Sequence, residues 1–170
     1  APTRRALPAA PKLTNPIVDF ERLPAAEWWR VDAIICALGT TMAQAGSREA
    51  FRRVDHDYVL KAARLGRQAG VPVFVLNSSL GASRSARSFY LRVKRETECD
   101  LRALGLRSLT VVRPSLIQAD SRPDFRFGEW LAIRLARGVR PLLPARWRVV
   151  SARAVASTML EAALAASPGV

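Results

Sequence analysis

The chain has 170 residues, of which 49% are hydrophobic, enough for one buried core and too few for two comfortable domains. Lys and Arg number 27 against 14 Asp and Glu, so the formal net charge is +13 and an anionic partner is expected. Two cysteines exclude a disulfide scaffold, and no apolar run approaches the ~20 residues that a membrane-spanning helix needs. We therefore predict one reduced, cytoplasmic domain over residues 1–170, with no membrane span.

Apolar runs and helical patterns alternate along the chain. Apolar, β-branched runs predict three buried strands, at 31–38, 71–76 and 108–113. Two shorter strands are predicted at 17–20 and 148–150. Helical spacing of apolar residues predicts helices over about 48–68, 87–104, 127–136 and 152–165. This alternation predicts an α/β fold, a Rossmann-like, doubly wound parallel sheet with helices on both faces.

Polar residues follow the three main predicted strands, where a doubly wound sheet binds its ligands. These segments are Ala37-Leu38-Gly39, Asn77-Ser78-Ser79 and Arg113-Pro114-Ser115. The helix after the second strand carries Tyr90 and Lys94, whose spacing places them on one face. A lysine ammonium favours the phenolate form of a neighbouring tyrosine, and a serine hydroxyl can bind a substrate oxygen. Ser78 or Ser79, with Tyr90 and Lys94, therefore suits carbonyl–alcohol redox chemistry; a plain exposed helix pair is the alternative interpretation of the spacing.

Together these motifs, in this order, resemble the short-chain dehydrogenase/reductase superfamily, specifically its atypical NAD(P)H-binding branch and the TIP30 (CC3) group with its bacterial relatives. The resemblance runs from Val31 to Trp130. It implies that Tyr90 transfers a proton, that Lys94 tunes Tyr90 and holds the nicotinamide ribose, and that Ser78 or Ser79 completes the catalytic set. It further implies cofactor contacts at Ala37, Leu38, Gly39, Arg113, Pro114 and Ser115. An unidentified small-molecule substrate is expected to contact a segment at 115–147, and a homodimer is expected at the level of the superfamily.

The chain lacks the glycine-rich motif Gly-x-x-Gly-x-x-Gly that members of this superfamily carry after their first strand. We expect the sequence to be N-terminally incomplete, without the first strand and its loop; loss in the natural protein is the alternative. Thr3-Arg4-Arg5 resembles the basic turn that receives an adenosine 2′-phosphate, which favours NADP(H) over NAD(H). A solvated charge cluster explains Arg4 and Arg5 equally well. Asp19 and Phe20 are expected near the adenine.

The leading hypothesis is an NADP(H)-dependent oxidoreductase acting on a carbonyl or alcohol. One alternative is a non-catalytic NAD(P)H-binding regulatory or protein-interaction module. A second is a basic nucleic-acid-binding protein, which we disfavour because the chain has no nucleic-acid motif and few aromatic residues among its basic ones. No metal site is expected, because His56 is the sole histidine, and we predict His56 on a helix surface. Cys36 is expected to be an inert core thiol.

Overall fold

The computed structural model describes residues 1–118 and 149–166. A parallel sheet of three strands lies at its centre, with β1 at Ala33–Cys36, β2 at Val73–Asn77 and β3 at Ser108–Val112. The strand order is β1-β2-β3. These strands fall close to the three main predicted apolar runs. The predicted helix at 127–136, and the predicted substrate segment beyond residue 118, lie outside the described residues.

Helices connect and cover the strands. They are α1 at Met42–Ala45, α2 at Arg48–Arg52, α3 at Tyr58–Gln68, α4 at Phe89–Ala103 and α5 at Ala152–Ala165. A π-helical segment at Arg53–Asp57 joins α2 to α3. A second, two-stranded parallel ladder pairs β4 at Ile117–Gln118 with β5 at Val150–Ser151. No helix within the described part of the chain is long and apolar enough to cross a membrane.

Alternating side chains of β2 divide the core between the two faces of the sheet. Phe74 and Leu76 pack on one side, in a cluster with residues of α3 and α4. Val73 and Val75 pack on the other side, in a cluster with residues of α5. Because both faces of a parallel sheet are covered, its central strand is apolar throughout. The predicted α/β class, with a parallel sheet and helices on both faces, is confirmed.

The N-terminal segment differs from its prediction. The strand predicted at 17–20 is reduced to a single parallel bridge between Ile17 and Thr3. The side chain of Asp19 accepts a hydrogen bond of 2.9 Å from the backbone N–H of Glu21, which begins a 3-10 helix at Phe20–Arg22. An aspartate that caps a helical turn competes with extension of the strand.

Candidate functional site

A buried ion pair lies at the carboxyl end of β1. The backbone N–H of Thr40 donates to Asp55 Oδ2 at 2.7 Å, and Lys94 Nζ lies 2.8 Å from Asp55 Oδ1. The Asp55 and Lys94 side chains are both almost fully buried. Burial raises the pKa of the Asp55 carboxyl above its ordinary range, against the opposing charge of Lys94 and the hydrogen bond from Thr40. The cation on α4 is therefore tied to the helical segment that follows β1.

Gly39 packs closely against this ion pair. A methyl group on Gly39 would lie 3.3 Å from Asp55 Oδ1 and 3.6 Å from Lys94 Nζ. The first distance is tighter than ordinary van der Waals contact, so a side chain here would crowd the pair. Glycine thus allows the backbone after β1 to approach the buried pair.

Asp55 belongs to the π-helical segment, a feature that sequence reasoning missed. Its carbonyl oxygen lies 3.0 Å from the hydroxyl of Thr97, which shares its single proton between this oxygen and the carbonyl oxygen of Val93 at 2.9 Å. Single π-helical turns often occur at functional sites. No propensity in the sequence signals such a turn, because the apolar spacing of residues 48–68 fits one ordinary helix.

Tyr90 and Lys94 meet on α4, as their spacing predicts. Lys94 Nζ lies over the Tyr90 ring, 5.9 Å from its centroid. The other neighbour of the ring is Phe51, with 5.6 Å between ring centroids. The ammonium of Lys94 therefore contacts both the carboxylate of Asp55 and the ring face of Tyr90, the candidate proton donor.

The two candidate serines have different surroundings. Ser78 is 4% exposed, and its hydroxyl donates to Glu98 Oε1 at 2.6 Å. Ser79 is half-buried, and within the described part of the chain its hydroxyl makes one long contact, of 3.4 Å, to the carbonyl oxygen of Leu80. The structure therefore commits the Ser78 hydroxyl to a carboxylate, and the Ser79 hydroxyl remains the more available donor.

Arg113, predicted to contact the cofactor, has its guanidinium on Glu98. Its Nε donates to Glu98 Oε1 at 2.8 Å, and a terminal N–H donates to Oε2. Burial alone would raise the pKa of the Glu98 carboxyl, but hydrogen bonds from Arg113 and Ser78 and the charge of Arg113 together lower it. Of the predicted contacts after β3, Pro114 is buried and accepts a hydrogen bond of 2.8 Å from the N–H of Leu80. The neighbouring Ser115 is half-buried.

The predicted phosphate-binding turn stays exposed. The Thr3 hydroxyl donates to the carbonyl oxygen of Arg5 at 2.6 Å, and the Asn15 side chain donates to Thr3 at 2.8 Å. Arg4 and Arg5 are both exposed. This turn leaves their guanidinium groups accessible to an anion.

Two further residues lie in surroundings that the sequence did not predict. Phe20 is 5% exposed and its ring stacks on Tyr58 with 5.8 Å between centroids, so it belongs to the core; its expected position near an adenine stays a prediction. His56 was expected on a helix surface, but it is 6% exposed, with ring nitrogens 2.7 Å from Asp57 and 2.8 Å from Asp100. The π-helical turn carries His56, and its contact with Asp100 places it against α4.

Cys36 lies in the core as predicted, and burial raises the pKa of its thiol to about 11. A thiol so protonated at neutral pH is a poor nucleophile. Within the described residues, no group of three or more His, Cys, Asp or Glu side chains could hold a metal ion.

Comparison with known proteins gives matches to curated sequences and to solved structures. No family model matches the chain. The chain is 44% identical to the protein HTATIP2 of Rattus norvegicus over 118 residues, which is 68% of this chain and 48% of HTATIP2. It is 34% identical to the mitochondrial protein FMP52 of Meyerozyma guilliermondii over 145 residues, 82% of this chain and 62% of FMP52. The matched segments thus span about half of HTATIP2 and somewhat more of FMP52.

A solved structure supports the fold. RMD from Pseudomonas aeruginosa, complexed with NADPH, superposes with a TM-score of 0.58 at 19% identity, covering 82% of this chain and 58% of RMD. At that identity the likeness concerns the fold alone. The chain is thus a relative of HTATIP2, the TIP30 protein, and of FMP52, with the Rossmann-like fold of the atypical short-chain dehydrogenase/reductases.

Proposed function

We propose that the protein is an oxidoreductase that uses a nicotinamide dinucleotide to interconvert a carbonyl and an alcohol. The observation that carries this proposal is the position of Lys94, buried at the carboxyl end of the sheet between Asp55 and the ring of Tyr90. In doubly wound sheets this end is where ligands bind. Of the candidate functions, it is the one that uses the tyrosine, the lysine and the glycine together.

The residues after β1 fit the nicotinamide end of such a cofactor. Gly39 lets the backbone approach Lys94, since a Cβ at this position would lie 3.6 Å from its Nζ. When bound, the cofactor supplies the hydride that is exchanged with the substrate carbon. Lys94 would hold the ribose hydroxyls through its ammonium group, and the backbone of Ala37, Leu38 and Gly39 would line the same side.

The side chains of α4 and of the β2 end would move the proton. Tyr90 would donate its hydroxyl proton to the oxygen of a carbonyl substrate as that oxygen becomes an alkoxide, and would recover it in the reverse direction. Lys94 would stabilise the phenolate left behind. Ser79 would hold the substrate oxygen, because the hydroxyl of Ser78 is engaged by Glu98.

NADP(H) is the proposed cofactor in preference to NAD(H), since Arg4 and Arg5 are exposed on a turn and could bind a 2′-phosphate. RMD, the solved structure described above, is complexed with NADPH, which is consistent with this choice. A cytoplasmic location remains a prediction, because FMP52 carries the word mitochondrial in its name. The homodimer also remains a prediction.

Replacing Tyr90 with Phe tests the proposal. NADPH oxidation with a panel of aldehydes and ketones should fall by about 100-fold or more in Tyr90→Phe, because general acid catalysis is lost. Cofactor affinity should stay within about twofold, since the ring remains. Tyr58→Phe is the matched control, because the Tyr58 hydroxyl donates to Glu21 on the surface and should leave turnover unchanged.

Undiminished turnover in Tyr90→Phe would overturn the proposed mechanism. NADPH binding without consumption of any carbonyl would instead favour the non-catalytic regulatory module.

A further inference from the structure

Glu98 is a buried carboxylate that joins three elements. It is fully buried on α4, four residues after Lys94 and eight after Tyr90, so all three lie along one side of the helix. Its oxygens accept from Ser78, which follows β2, and from Arg113, which follows β3. A third donor, Arg95 on α4 itself, reaches Oε2 at 3.2 Å.

The ends of β2 and β3 are also bonded to each other. The N–H of Ser78 donates to the carbonyl oxygen of Val112 at 2.7 Å, and the N–H of Leu80 donates to that of Pro114 at 2.8 Å. These bonds make the two strand ends one unit. Glu98 then bonds this unit to the helix that carries the candidate proton donor.

Desolvation of a carboxylate is costly unless several donors compensate it, and a buried ion pair is weak evidence for stability alone. Such a group is better explained by the geometry that it fixes, here the distance between α4 and the residues after β2. Ser79 is the next residue after the bonded Ser78, so the position of its backbone depends on the Glu98 contacts.

We infer that Glu98 is a positioning residue, which holds the segment bearing Ser79 against the α4 face bearing Tyr90 and Lys94. The inference rests on the proposed function, because it names what keeps that catalytic set in register. Glu98 itself touches neither substrate nor cofactor in this role. Its effect on the reaction passes through Ser78 and Arg113.

The test compares Glu98→Gln with Glu96→Gln in the full-length protein. Gln keeps the size of the side chain but loses the negative charge and replaces the Oε2 acceptor with an N–H₂ donor, so the two-point contact with Arg113 and the contact with Arg95 are lost. Glu96 lies on the same helix with its side chain 47% exposed, bound to Arg52, which makes it a matched control. We expect kcat to fall about tenfold or more in Glu98→Gln through misplacement of the reacting groups, with the Kd for NADPH unchanged. Glu96→Gln should match the wild type.

The measured kcat and the Kd for NADPH separate an effect of Glu98 on chemistry from an effect on binding. Equal kcat in Glu98→Gln and Glu96→Gln would overturn the inference and leave the proposed function standing. A weaker Kd with unchanged kcat would overturn it as well, because Glu98 would then act on binding. If Glu98→Gln does not fold, Arg113→Lys takes its place, because lysine keeps the charge but loses the two-point contact. We expect the same fall in kcat in Arg113→Lys. Wild-type kcat in that variant would overturn the inference.

A spectroscopic readout separates this inference from the proposed function. In the wild type, the Nε–H of Arg113 should give a slowly exchanging ¹⁵N resonance, because it donates to a buried carboxylate at 2.8 Å. The resonance should exchange faster in Glu98→Gln, where the charge and the second Arg113 contact are lost, and remain protected in Glu96→Gln and Tyr90→Phe. A fast-exchanging Arg113 Nε–H in the wild type would refute the Glu98 contacts, whereas a wild type that turns over no carbonyl would refute the oxidoreductase.

Discussion

Individual side chains at the carboxyl end of the sheet fall into two charged groups. Asp55 and Lys94 form a buried pair 2.8 Å apart, with Gly39 packed closely against it. Glu98 and Arg113 form a second pair, which also takes up the hydroxyl of Ser78. The first group is the one proposed to bind the cofactor. The second group joins α4 to the ends of β2 and β3. The two serines after β2 therefore have different hydrogen-bond partners, although they are adjacent in sequence.

This difference predicts how the serines respond to truncation. Ser79→Ala should lower kcat by about tenfold or more, because a hydrogen bond to the developing oxyanion is lost. Ser78→Ala should have a smaller effect, since Arg113 still holds Glu98 in place. Steady-state turnover of the carbonyl substrate found for the wild type measures both. A larger loss in Ser78→Ala than in Ser79→Ala would reverse the assignment.

For individual residues, the spacing along the sequence predicts only part of the site. Tyr90 and Lys94 could be paired from the sequence, because two residues four apart share a face of any helix. The partners of Lys94 and Ser78 could not be predicted from the sequence. Asp55 and Glu98 lie 39 and 20 residues away from them in sequence, and the contacts depend on how α4 packs.

Among the elements, α4 carries the proposed proton donor, and its side chains contact the π-helical segment. Lys94 and Thr97 both reach Asp55, one at its carboxylate and the other at its carbonyl oxygen. A π-helical turn leaves backbone carbonyl groups without their usual partner four residues on. The hydroxyl of Thr97 donates to the Asp55 carbonyl oxygen, so it helps to hold the turn that carries the partner of Lys94.

Thr97→Val tests this role, because valine has nearly the shape of threonine without its hydroxyl. We expect the free energy of unfolding to fall by about 1 kcal/mol, the net contribution of one buried hydrogen bond. Urea denaturation measures it. Thr110→Val on β3 is the control, because Thr110 is partly buried and makes no hydrogen bond through its hydroxyl within the described residues. An equal free energy of unfolding in the two variants would contradict the account.

The elements themselves could largely be predicted, because apolar periodicity records burial directly. The helix predicted at 152–165 is observed as α5 with those bounds, and the strand predicted at 108–113 ends one residue earlier. The failures have local causes. Asp19 caps a helical turn where a strand was predicted, and a π-helical turn carries His56 where a regular surface helix was predicted.

The whole molecule combines a strong positive charge with a site at one end of its sheet. The net charge of +13 favours approach of an anionic dinucleotide, an effect that added salt would weaken. Arg4 and Arg5, exposed beside the Thr3–Ile17 bridge, add the only feature in the account that distinguishes NADP(H) from NAD(H). The fold and the relationship to HTATIP2 and FMP52 support such a ligand for the full-length protein.

The most direct test is a titration of the full-length gene product with NADPH and with NADH, following nicotinamide fluorescence. The account predicts saturable binding of both, with NADPH tighter, and a loss of that preference when Arg4 and Arg5 are replaced by Ala. Arg22→Ala, which removes an exposed arginine from the 3-10 helix, should keep the preference. Equal affinity for the two cofactors would remove the role of Arg4 and Arg5 alone. Absence of binding by either cofactor would contradict the central claim.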